Sequence, residues 1–133
     1  MSNKDQQQFS AVLDALRKIA AEIRSLEAEA HKALLESNDT AVYRKKLNEK
    51  TLLLMDLPET LEPLLEGLER KAAEEIRAEA ATFAKRAEPA LSLSSSFYMS
   101  ALLYPADYKE GEKNDLEKFI ERLQVRYHRP DPS

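Results

Sequence analysis

Phe9, Val12, Leu16, Ile19, Ile23, Leu26, Ala30 and Ala33 follow one another in alternating steps of three and four. Such spacing places all eight on one side of a helix, as in the a and d positions of a heptad. It predicts a helix from about Asp5 to Glu36, roughly 48 Å long at about 1.5 Å per residue. The flanks decide what this helix packs against. In that register Leu13, Ala20, Glu27 and Leu34 stand at e, so two leucines widen the apolar stripe. A parallel two-stranded pairing would also oppose Glu22 to Glu27, which repels. A wide a/d/e face belongs in a bundle of three or more helices.

A second helix starts at Asn38 or Asp39, either of which can cap. Its inner face holds Tyr43, Leu47, Thr51 and Leu54, and it stops near Asp56 because Pro58 and Pro63 follow. Asp56-Leu57-Pro58-Glu59 reads as a capping box at a corner spanning 57–62. Leu61, Leu65, Leu68, Ala72, Ile76, Ala80, Phe83 and Ala87 then predict a third helix from about Pro63 to Glu88. Their mean step of about 3.7 residues rules out a left-handed supercoil along its whole length. Gly67 falls inside this run and costs about 1 kcal/mol relative to alanine. Pro89 ends the pattern. Ser92, Ser94, Ser95 and Ser96 form a polar hinge that can cap a fourth helix over 97–104, stopped by Pro105. Asn114 with Glu117 forms a reciprocal cap for a fifth helix whose apolar face is Leu116, Phe119, Ile120, Leu123 and Tyr127. Residues 128–133 contain two prolines and are expected to fray. The expected fold is therefore all-α: three long helices and two shorter C-terminal ones in a single domain over 1–133, ordered from about 5 to 127.

Composition supports the helices. There are only two glycines in 133 residues, too few for the tight turns of a strand-rich fold. The net charge of −4 opposes long-range attraction to nucleic acid or anionic membrane. Without cysteine there is no thiolate or disulfide chemistry. The polar N-terminus has no signal-peptide core, and no run reaches the ~18 apolar residues needed to cross a bilayer. A cytoplasmic protein without membrane partners is expected.

No cluster amounts to a catalytic, cofactor or metal motif, and the expectation is a protein that is not an enzyme and carries no cofactor. Glu27 and His31 are one residue too far apart for the Glu-x-x-His pair of a di-iron bundle, which also needs further carboxylates. They read as a solvated pair. Glu74-Glu75, Glu27-Glu29 and Glu66-Glu69 lie among Arg70, Lys71 and Arg77, as on a solvated helix face. The serines have no glycine near them to build a nucleophile elbow. Two basic groups, Arg44 and Lys45 with Lys46 and Lys50, and Lys118, Arg122 and Arg126, support a nucleic-acid-associated bundle as the alternative function. The acidic chain disfavours it.

Six of the nine aromatic residues fall in the C-terminal third. Phe97, Tyr98, Leu102, Tyr104 and Tyr108 are the candidate residues for binding a protein partner, since tyrosine buries a ring and still hydrogen-bonds. A second expectation is a homodimer through the wide face of the first helix, with Leu13, Leu16, Ile23, Leu26 and Leu34 as its candidates. Ala33-Leu34-Leu35-Glu36, Asn38-Asp39, Leu47-Asn48-Glu49-Lys50 and Leu52-Leu53-Leu54 together have a rhythm that resembles the helical hairpin of flagellar export chaperones. The C-terminal part, with its serine run and Tyr104-Pro105, has no counterpart in that pattern. The function these readings lead to is a non-catalytic helical interaction protein: an adaptor, chaperone or assembly subunit.

Overall fold

The computed structural model describes residues 3–127, and the tail expected to fray at 128–133 lies outside them. Among the described residues there are six helices and no strand: α1 (Asn3–Ser37), α2 (Thr40–Met55), α3 (Leu57–Leu65), α4 (Arg70–Ser92), α5 (Ser96–Ala101) and α6 (Asp115–Tyr127). The all-α class is as the periodicity predicted. None of these helices is long and apolar enough to cross a membrane.

The spine is α1, which packs on α2, α3 and α6, while α4 packs on α2, α3 and α5. Phe9, Val12, Leu13, Leu16, Ala20, Ile23, Leu26 and Ala30 of α1 are all buried. The a/d/e stripe is therefore consumed inside one chain. This corrects the expected self-association face: Leu13, Leu16, Ile23 and Leu26 are buried by the chain's own helices, and Leu34 is half-buried. The face is wide, but α2, α3 and α6 together cover it.

The long third helix is also corrected. Its apolar rhythm continues through the break, but Gly67 takes φ +82 in a turn between α3 and α4, a conformation that suits glycine. Gly67 is thus a turn residue and not a helix-interior cost. Conversely Pro89 lies inside α4, which runs on to Ser92. Its missing N–H would have bonded the carbonyl of Lys85, and both residues sit on the exposed side near the helix end, where solvent can satisfy that carbonyl. The corner at 56 is tighter than expected: Asp56 alone separates α2 from α3 and makes no side-chain cap. Two caps are as predicted. Asp39 accepts from the Val42 N–H at 3.0 Å. Asn114 and Glu117 exchange bonds, Glu117 N–H to Asn114 Oδ1 at 2.9 Å and Asn114 N–H to Glu117 Oε1 at 2.8 Å.

The apolar interior has two parts. The larger joins α1, α3, α4 and α6, with Phe9, Leu16, Leu57, Ile76 and Leu116 fully buried. It includes the ring pairs Phe9–Tyr127 and Phe83–Phe119. The smaller, at the C-terminal end of α1, consists of Ala30, Leu47, Ala90 and Met99, with Tyr43 and Leu102 against it.

Candidate functional site

Between the two apolar parts lies a knot of charged and aromatic side chains. Lys50 of α2 is completely buried. Its ammonium lies 2.9 Å from Glu27 Oε2 of α1 and donates to the carbonyls of Leu102 at 3.0 Å and Ser100 at 3.3 Å. The other Glu27 oxygen accepts from the Tyr104 hydroxyl at 2.5 Å. The Lys50 and Arg24 cations sit 5.2 and 5.7 Å from the centre of the Tyr104 ring, a favourable placement against its π face. Arg24 forks onto Glu117 at 2.7 and 3.1 Å and reaches the Glu112 carbonyl at 3.0 Å. Tyr108 packs edge-on to Tyr104 and donates to the same carbonyl. Asn114, wholly buried, completes the knot beside α6.

This network corrects the reading of Glu27 as half of a solvated surface pair: it is the half-buried partner of Lys50 and Tyr104, while His31 is exposed. Burial pushes the Lys50 pKa below its ordinary value, with Glu27 opposing the shift. Burial, then the bond to Glu27, raises that of Tyr104. The Arg24 guanidinium holds Glu117 below the usual carboxylate range. A lysine with a lowered pKa is also what amine nucleophiles use. Here, however, the ammonium donates to two carbonyls and is ion-paired with Glu27, and the side chain is completely buried. The geometry makes Lys50 a clamp. It holds the C-terminal carbonyls of α5, which a helix end leaves without partners, and ties them to α1.

The segment so clamped adjoins the one group of neighbouring large exposed apolar side chains among the described residues, Leu35, Leu52 and Val125 being exposed singly. α4 ends with Ser94 in the left-handed region at φ 49, and the Ser95 N–H bonds back to the Ala90 carbonyl at 3.1 Å, the Schellman closure. The Ser95 hydroxyl then caps α5 by accepting from the Tyr98 N–H. The serine run thus makes the hinge and cap it was expected to make, over a helix shorter than 97–104. This corner turns Leu93, Phe97 and Tyr98 outward, 66%, 75% and 54% exposed. The Phe97 and Tyr98 rings meet edge to face at 5.5 Å. Alongside runs a groove of about 570 Å³, lined by Pro89, Leu93, Tyr98, Ala101, Leu102 and Pro105, with Arg86 and Asp115 also on its walls.

The expected protein-binding residues therefore divide. Phe97 and Tyr98 are exposed at the corner, and Leu102 and Tyr104 are half-buried and line the groove. Tyr108, also half-buried, belongs to the knot. The basic clusters do not gather into one surface. Arg122 approaches Glu79 at 4.0 Å, Arg126 pairs with Glu75, and Lys46 pairs with Glu29 at 2.9 Å. Lys50 is inside. Arg44 and Lys45 remain exposed on α2, and Lys118 on α6. Among the described residues no three His, Cys, Asp or Glu side chains gather as a metal site.

The sequence reading did not bring Lys50, Arg24 and Glu27 together, and took Asn114 as a helix cap alone. A signal was present: Lys50 falls three residues after Leu47 and four before Leu54, on the apolar face of α2, where a charge must find a partner. No family model, curated protein or solved structure matches the chain.

Proposed function

We propose that this chain is a non-catalytic helical interaction protein whose contact surface is the α4–α5 corner and its groove. The observation that carries the reading is the concentration of large exposed apolar side chains. Leu93, Phe97 and Tyr98 lie within six positions of one another and border an apolar groove, and contiguous exposed patches of this kind mark contact sites. Aromatic anchors beside a pocket are also the usual centre of a protein interface. The buried clamp supports it further, because it fixes a short helix that little apolar burial would otherwise hold. The nucleic-acid alternative has less support, since Arg122, Arg126 and Lys46 face carboxylates of the same chain and cannot engage phosphates without breaking those pairs.

A photo-reactive amino acid at position 97, irradiated in the native cell, tests the reading. A discrete covalent protein adduct is expected from position 97 and none from position 45 on α2. Absence of an adduct at 97, or equal labelling at both positions, would remove the corner as the contact surface.

A further inference from the structure

The groove beside the corner has a charge pattern that selects its occupant. Arg86 of α4 and Asp115 of α6 both stand on its walls. Among the described residues neither side chain has an ion-pair or hydrogen-bond partner, whereas Arg24 with Glu117, Lys50 with Glu27, Lys46 with Glu29 and Lys113 with Glu121 are paired within the chain. An apolar groove with one unpaired cation and one unpaired anion suits neither a purely acidic nor a purely basic segment, since either would meet one wall with like charge. A surface with both charges in the same relation satisfies both walls. The chain itself has that surface. It also has the anchor, for Phe97 is three-quarters exposed next to the groove without lining it.

We propose that the groove is occupied by a second copy of this chain, in a twofold pair. The Phe97 ring of each copy enters the groove of the other, and Arg86 of each meets Asp115 of the other. In such an interface the same patch serves both subunits, so each contact occurs twice. A charge pair at the edge of an apolar seat sets register and excludes wrong partners more than it adds affinity. The dimer therefore uses α4, α5 and the start of α6, and leaves α1 inside each monomer. The proposal rests on the corner being the contact surface, and names what contacts it.

Charge reversal gives a test that loss of folding cannot imitate. Arg86→Asp leaves two anions in the groove, and Asp115→Arg leaves two cations. Each variant alone is expected to dimerise at least tenfold more weakly than the wild type in analytical ultracentrifugation at low salt. An equimolar mixture of the two is expected to form a heterodimer, because each copy then supplies the charge the other needs. Phe97→Ser is expected to abolish association in any combination, with helicity by circular dichroism unchanged. A wild type that stays at the 15.1 kDa monomer mass at about 100 µM, a concentration that fills a site of micromolar affinity, overturns the proposal. So does a mixture that fails to associate. The crosslink from position 97 separates this inference from the broader one. An adduct at twice the chain mass supports both, an adduct of another mass keeps the contact surface and overturns the second copy, and no adduct overturns both.

Discussion

The two ends of the bundle are held by different physics. Around Phe9, Leu16, Leu57, Ile76 and Leu116 the helices bury bulky side chains completely, and apolar burial at roughly 25 cal/mol per Å² is the main stabilising term. At the other end the buried apolar set is four residues, two of them alanines. There the segment from α5 to α6 is tied to α1 and α2 by charged groups: Lys50, paired with Glu27, holds the Ser100 and Leu102 carbonyls, and Arg24 holds Glu117. Apolar burial is non-directional and tolerates repacking. A buried ion pair fixes geometry while adding little net stability over an apolar replacement, and it fails sharply when one partner is removed. The end that carries the exposed corner is thus the one whose position is specified by directional bonds.

The largest expected break is in the apolar end. Phe9→Ala removes a ring that α6 covers with Tyr127 and is expected to lower global stability by about 3–5 kcal/mol, read as a reduced midpoint in urea. Lys50→Ala is expected to cost about 3 kcal/mol, because Glu27 loses its counter-charge and the Ser100 and Leu102 carbonyls lose their donor. Lys50→Met should cost less than Lys50→Ala, since it refills the volume. Equal losses for the two would mean that the lost charge, and not the lost volume, sets the whole cost.

Acid should act on the ionic end. Glu117 has a folded-state pKa held below its unfolded value by Arg24. Its stabilisation is present above the unfolded value and is lost as pH falls through the folded one. Stability is therefore expected to fall on acidification below the ordinary carboxylate range, and less steeply in Arg24→Gln. Alkali acts through Tyr104 in the opposite sense. Its raised pKa gives stability that is complete below the unfolded value and is lost as pH rises beyond it. Lys50, with its lowered pKa, gains stability as pH rises toward its unfolded value, so Lys50→Met should steepen the alkaline loss. The smallest effect is at the surface: Phe97→Ser should leave the urea midpoint of the isolated chain within about 0.5 kcal/mol of the wild type.

The apolar end was largely legible from the chain. The three-and-four rhythm of α1 names its buried face residue by residue, since burial follows helical periodicity directly. Asn114 with Glu117 marked the start of α6 because a reciprocal cap is local. What was not legible depends on who meets whom across the fold. The rhythm from Leu61 to Ala87 passes unbroken through Gly67, since periodicity registers which side is buried and not whether the backbone turns between. Pro89 read as a stop because its helix end could not be located without the Ser94 closure. Lys50 and Glu27 each look like surface charges when their own helix is read alone, and only the packing of α2 on α1 makes them a pair. The width of α1 read as a surplus for the same reason: its coverage by α3 and α6 is a tertiary fact.

Amide hydrogen exchange on the wild type and Lys50→Met tests most directly whether the ionic clamp holds the corner. The amides of Met99, Leu102 and Tyr104 bond within α5 and the turn after it, and that of Asp115 bonds the Leu103 carbonyl. In Lys50→Met these four are expected to lose most of their protection, while amides within α3, under Leu57 and Leu61, keep theirs. Undiminished protection at Met99, Leu102, Tyr104 and Asp115 in a folded Lys50→Met, or an equal loss at both ends of the bundle, would contradict a clamp that acts on the corner alone.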